Sequence, residues 1–125
     1  MNKRIVVIDD EEILVRSFSK LLEKHGYEVF GFKKGSDAIA FSEEEDIDLI
    51  ICDVRMPGKS GVETIKEVFS FLDSANKKRM PIIFATGYAD SDVEEEAKKL
   101  LPIAILRKPF DINQLIEIVN RTLGL

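Results

Sequence analysis

Short apolar runs alternate with longer amphipathic stretches along the whole chain. Ile5-Val6-Val7-Ile8 is unbroken and β-branched, the pattern of a strand covered on both faces. Leu14, Phe18, Leu21 and Leu22 then recur at helical spacing as far as Gly26, a good helix stop. Tyr27-Glu28-Val29-Phe30-Gly31-Phe32 is half polar and reads as a strand at a sheet edge. Residues 36–45 read as a helix, and Leu49-Ile50-Ile51-Cys52 as another wholly apolar strand. Pro57-Gly58 marks a turn, and Ser60 with Glu63 has the spacing of a capping box. The helix it opens buries Val62, Ile65, Phe69 and Leu72. Residues 81–85 form a fourth strand. Ser91 with Glu94 repeats the capping-box spacing ahead of a short acidic helix with Val93, Ala97 and Leu100 inward. Ile103-Ala104-Ile105-Leu106 is the fifth strand. Asp111 caps a last helix whose apolar face is Ile112, Leu115, Ile116, Val119 and Leu123.

This alternation predicts an α/β domain, a parallel sheet with helices on both faces. No internal repeat, low-complexity tract or linker interrupts it, and 125 residues suit one domain spanning 1–125. Composition narrows the class. The chain is 45% hydrophobic, too apolar for disorder, and no apolar run approaches the roughly 20 residues of a membrane span. The start, Met1-Asn2-Lys3-Arg4-Ile5, lacks a secretory pattern, and one cysteine cannot form an internal disulfide. A cytoplasmic location is expected. The net charge of −5 argues against general attraction to nucleic acid or anionic lipid.

In sheets of this kind ligands sit outside the carboxyl ends of the strands. There the sequence places Asp9-Asp10-Glu11-Glu12, Asp53, Thr86-Gly87 and Lys108-Pro109. Asp9 and Asp10 alone suit a helix N-cap and its dipole. Asp53 is harder to explain by packing, because a charge closing a buried apolar strand seldom serves it. Two carboxylates about 5 Å apart repel by roughly 3 kcal/mol at an effective dielectric of about 20. Three such pairs approach roughly 10 kcal/mol, comparable to a domain's whole stability. Lys108 and a divalent cation are the two candidates to offset that repulsion. Oxygen ligands that leave room for water suit Mg²⁺ rather than zinc. With a cation bound, a phosphoryl group would bridge metal and lysine while an Asp oxygen attacks phosphorus.

Asp9-Asp10, Asp53, Met56-Pro57-Gly58, Thr86 and Lys108-Pro109-Phe110, in this order at successive strand ends, resemble the receiver domain of bacterial two-component response regulators. The resemblance runs end to end. It implies a flavodoxin-like, doubly wound sheet in the order 2-1-3-4-5 with five helices. It implies Asp53 as phosphoacceptor from a sensor histidine kinase or histidine phosphotransfer protein. Asp10, Asp53 and the backbone carbonyl of Arg55 would bind Mg²⁺ directly, with Asp9 acting through water. Lys108 would contact the phosphoryl oxygens, the Lys108-Pro109 bond would be cis, and Thr86 would swing toward the phosphate and shift Gly87 and the loop behind it. Such a module turns over no external substrate and catalyses only its own phosphotransfer and dephosphorylation. A homodimer through the fourth helix, fifth strand and fifth helix is a further expectation, as is a stand-alone regulator or the receiver of a longer transcription regulator.

The chain departs from the family at Ile105, where many relatives carry an aromatic residue that rotates inward on activation. Tyr88 is the candidate to take over part of that role. Arg55 and Tyr88, both bulky, flank the acceptor and imply restricted water access and a long-lived phosphate. Phe110 suits either packing beneath the last helix or the face of the fourth helix, fifth strand and fifth helix. His25, Cys52, the acidic runs 43–46 and 94–96 and the basic loop 77–79 read as structural or solvated. A rival reading is a small Mg²⁺-dependent phosphohydrolase with an aspartyl-phosphate intermediate. That chemistry needs a second Asp two residues after the nucleophile, and Arg55 stands there. A flavin carrier of similar topology is excluded by the acidic loop after the first strand, which would repel a flavin phosphate.

Overall fold

The computed structural model describes residues 2–87 and 91–124. The elements run β1 (Arg4–Ile8), α1 (Glu12–Lys24), β2 (Glu28–Phe32), α2 (Gly35–Glu44), β3 (Leu49–Asp53), α3 (Gly61–Ser74), β4 (Ile82–Thr86), α4 (Ser91–Lys98), β5 (Ala104–Arg107) and α5 (Ile112–Leu123). The sheet order is β2-β1-β3-β4-β5, and every neighbouring pair is parallel. The half-polar second strand lies at one edge, and the three central strands β1, β3 and β4 carry the unbroken apolar runs. That division follows from coverage: central strands meet helices on both faces, whereas an edge strand keeps one side near water.

Alternate residues of the strands feed two separate cores. On one face Val6, Ile8, Ile50, Cys52, Ile82 and Phe84 pack with α2, α3 and α4 through residues such as Ala38, Ile65, Phe69 and Ala97. On the other, Ile5, Val7, Leu49, Ile51, Ile83 and Leu106 meet Phe18 and Leu22 of α1 and Leu115, Ile116 and Val119 of α5. Each fully buried side chain of this size contributes about 1.5–3 kcal/mol. The two cores cover the sheet on both faces.

Local signals act where the sequence places them. Ser60 and Glu63 close a reciprocal capping box at α3, and the Asp111 side chain accepts from the Asn113 N–H at α5. Gly26 lies at φ +92°, the left-handed conformation that ends α1. The proposed Ser91 cap falls on a side chain outside the described residues; Glu94 places a carboxylate oxygen 2.7 Å from Arg107 of β5. Val15, absent from the sequence-based face of α1, also packs in the second core. Its Cγ1 would stand 2.3 Å from a Cβ at position 31, so Gly31 lets α1 settle onto β2.

Candidate functional site

The parallel register brings the carboxyl ends of β1, β3, β4 and β5 into one row. The ladder of β1 with β2 extends one residue past the strand, with the Asp9 N–H donating to the Phe32 carbonyl at 3.0 Å. Asp53 closes β3 opposite Ala85, and Thr86 closes β4 opposite Arg107. Asp9 and Asp53 are buried and Asp10 is exposed, and one carboxylate oxygen from each lies within 4.8 Å of the others.

Lys108 brings a positive charge into this site. Its Nζ donates to Asp9 Oδ2 at 2.7 Å and lies 3.6 Å from Asp53 Oδ2. Its side chain retains 17% exposure. The Lys108-Pro109 peptide is cis, and the Lys108 N–H donates to the Thr86 carbonyl at 2.7 Å, fastening the start of this loop to β4. Burial alone would lower the lysine's pKa. The hydrogen bond it donates to Asp9 and the charges of Asp53 and Asp9 outweigh that effect, so the ammonium is held above its ordinary value.

Asp9 has two jobs that spacing alone does not reveal. Its Oδ1 accepts from the Glu11 N–H at 2.9 Å, while Oδ2 takes the lysine. The N-cap residue of α1 is Glu11, which makes no side-chain cap bond. Asp9 therefore satisfies one of the amides at the entrance to α1, as the simple helix-start reading expects, and also steers Lys108. Burial pushes the Asp53 carboxyl up to about 6; Asp9 and Asp10 add to the shift, against opposing effects of Lys108 and the Val54 amide. One ammonium thus leaves a surplus of negative charge among three carboxylates.

The other predicted residues fall around this cluster. Thr86 is buried at the end of β4, and Gly87 and Lys108 line a groove of about 570 Å³ together with Asp53, Leu14, Phe18, Pro109, Phe110 and Ile112. Phe110 stacks at a tilt on Phe18 of α1, ring centroids 5.8 Å apart. That places it on the α1 side of β5–α5, away from α4, resolving the two positions open to it. Arg55 is exposed in the β3–α3 loop, Met56 anchors that loop in the first core, and Gly58 turns it at φ +77°. Ile105 is half-buried against the first core. Tyr88 lies outside the described residues. Cys52 is buried beneath the acceptor, its thiol pushed up by burial and by Asp53 and Asp9, which suits an inert core residue.

A model of the response regulator receiver domain matches residues 5–120. The chain belongs to that family. Receiver domains are signalling switches, and both the recognised motif order and the 2-1-3-4-5 sheet agree with membership. The receiver is 29% identical over 125 residues to sporulation initiation phosphotransferase F of Bacillus subtilis, covering all of this chain and 97% of that protein. It is 30% identical over 119 residues to the transcriptional regulatory protein PdtaR of Mycobacterium tuberculosis, covering 94% of this chain but 55% of that protein. The chain thus spans about half the length of the latter relative. Among solved structures, a CheY-like receiver domain protein from Methanospirillum hungatei JF-1 superposes with a TM-score of 0.89 at 26% identity, covering 99% and 95% of the two chains. The chemotaxis protein CheY4 of Vibrio cholerae superposes with a TM-score of 0.84 at 27% identity, covering 98% and 99%. No described helix is long and apolar enough to cross a membrane.

Proposed function

We propose that this receiver accepts a phosphoryl group on Asp53 from a phosphohistidine donor in a Mg²⁺-dependent reaction, and that the aspartyl phosphate alters its partner-binding surface. The observation that carries the reading is the convergence of Asp9, Asp10 and Asp53 within 4.8 Å beside Lys108. The donor set fits a hard divalent cation: all three side chains offer oxygen, and their charge exceeds what one ammonium neutralises. Asp10, Asp53 and the Arg55 carbonyl would hold the ion, with Asp9 joining through water. A bound Mg²⁺ neutralises charge on phosphoryl oxygens as they approach the carboxylates.

The residues of the chain supply the rest. An Asp53 carboxylate oxygen forms a bond to phosphorus as the phosphorus–nitrogen bond of the donor breaks, and the histidine leaves with its electron pair. With a carboxyl pKa of about 6, Asp53 is mostly ionised and nucleophilic at neutral pH. Lys108, already 3.6 Å from that carboxylate, turns its ammonium to the incoming phosphoryl oxygens. The buried Thr86 hydroxyl then follows the phosphate and carries Gly87 and the next loop with it, biasing a two-state surface. The groove beside the acceptor is lined by Leu14, Phe18, Phe110 and Ile112 together with the charged Glu11, Asp53 and Lys108, and Ile13 of α1, adjacent to Leu14 in sequence, is 78% exposed. This surface suits a helical phosphodonor such as a histidine kinase or phosphotransfer protein. Exposed Leu101 and Ile103, in the turn between α4 and β5, favour self-association through α4, β5 and α5.

The reading assigns the domain no external substrate, since Arg55 occupies the position where a phosphohydrolase would need its acid. Intact mass after incubation with acetyl phosphate tests it. One Mg²⁺-dependent phosphoryl adduct is expected, absent from Asp53→Asn. An adduct that persists on Asp53→Asn, or no adduct and no Mg²⁺ binding, overturns the reading.

A further inference from the structure

The acceptor is supported from behind by a residue with no side chain. Asp53 is the last residue of β3, and after a seven-residue loop the chain returns as α3, whose first residue is Gly61. The Gly61 N–H donates to the Val54 carbonyl at 2.8 Å, closing the loop onto the strand end. A Cβ at position 61 would stand 1.9 Å from the backbone oxygen of Asp53, 2.9 Å from its carbonyl carbon and 3.0 Å from Val54 Cα. All three are backbone atoms of buried residues, two in the last residue of the central strand and one just beyond it, so none can rotate aside. Gly61 does not have a left-handed φ; the requirement for glycine is one of space. In propensity terms glycine is a poor choice at the start of a helix whose cap is already complete. Its cost is offset by contact with the strand.

We propose that Gly61 is a positioning residue of the acceptor. Its bare backbone lets the first turn of α3 bear on the Asp53 carbonyl, and this contact sets where the Asp53 carboxylate stands relative to Asp9, Asp10 and Lys108. The inference rests on Asp53 as phosphoacceptor for its functional consequence, but the positioning itself is a statement about geometry. Restoring an ordinary contact of about 3.4 Å from 1.9 Å requires backbone to move by more than 1 Å. Misplacement by about 1 Å can cost a reaction about a hundredfold.

The test is Gly61→Ala beside Leu72→Ala, which empties a buried position at the far end of the same helix. Both are brought to conditions in which circular dichroism shows a folded chain. Gly61→Ala is expected to lower Mg²⁺ affinity at least tenfold by calorimetry and to slow phosphorylation by acetyl phosphate 10- to 100-fold at saturating Mg²⁺. Leu72→Ala, equally or more destabilised in urea, is expected to stay within twofold of wild type in both. A crystal structure of Gly61→Ala gives a readout independent of phosphorylation: the Asp53–Lys108 separation should depart from 3.6 Å. An unmoved carboxylate overturns the positioning even if the wild type takes no phosphate, whereas a moved one with a wild type that takes none overturns only the acceptor reading. If Gly61→Ala does not fold, Ser60→Ala loosens the same turn without adding atoms. A two- to fivefold loss of Mg²⁺ affinity is then expected, and an unchanged affinity refutes the proposal.

Discussion

Replacing Asp53 by Asn should make the metal-free domain more stable. The perturbation keeps the shape of the side chain and removes one charge. In the folded chain the Asp53 carboxyl is raised from 3.8 to about 6, first by burial and then by Asp9 and Asp10. Folding therefore penalises its ionised form, and at 1.36 kcal/mol per pH unit the penalty has an upper bound of about 3 kcal/mol. Losing the attraction of Lys108 and the Val54 amide is already counted in that net shift, but imperfect amide hydrogen bonding offsets part of the gain. A net stabilisation of about 1–2 kcal/mol remains, or roughly 4–8 °C in Tm for a chain of this size. The sign of the pH dependence follows from a raised carboxyl. The penalty is full above about pH 6 and fades as pH falls toward 3.8, below which both states are protonated. Urea unfolding of both proteins in chelator, followed by circular dichroism, checks this. The Asn variant should lead by the full amount at pH 8 and by almost nothing near pH 4. A less stable variant at pH 8, or a difference that does not change with pH, would refute the electrostatic account.

Other expectations follow from the same geometry. Saturating Mg²⁺ at a hundred times its dissociation constant should stabilise the wild type by about 2.7 kcal/mol, and Asp10→Asn should lose most of that gain in a thermal scan. Lys108→Met has the opposite sign to Asp53→Asn: it strands Asp9 and Asp53 without their cation, and urea titration should show a loss of about 2–3 kcal/mol at pH 8. In limiting Mg²⁺ the rate of phosphorylation by acetyl phosphate should fall about tenfold per pH unit below about pH 6, as the Asp53 nucleophile protonates, and saturating Mg²⁺ should move that midpoint down. Independently of that geometry, the family resemblance implies that Tyr88→Ala accelerates dephosphorylation; an unchanged decay of the adduct's mass would remove Tyr88 from that role.

Most of the fold is legible in the order of residues because burial repeats with the period of the element that produces it. Ile5 to Ile8 and Leu49 to Cys52 are unbroken apolar runs, and both prove buried on two faces. The capping pairs Ser60 with Glu63, and Asp111 with its following amide, act within one turn and need no distant partner. The Thr86 and Lys108 positions were legible too, because alternation of strand and helix implies a common edge before any coordinates exist. Strand order was not derivable in this way. Nothing in β2 names β1 as its neighbour, and the order 2-1-3-4-5 came from resemblance until the register displayed it.

By itself, then, the sequence determined which residues are strands, which are helices, and which chemical groups end up at the carboxyl edge. Those properties depend on local conformational preference and on the contrast between apolar and polar side chains, both carried by near neighbours. Tertiary structure decided everything that joins residues far apart in the chain. Asp9 shares its two oxygens between the adjacent Glu11 amide and Lys108, 99 residues away. Phe110 turns to Phe18 because α5 and α1 cover the same face of the sheet. Gly61 earns its place only against the Asp53 carbonyl, a contact no local pattern encodes. Side-chain charge is inherited from composition, but how much it costs depends on distance and burial, and only the folded chain sets those.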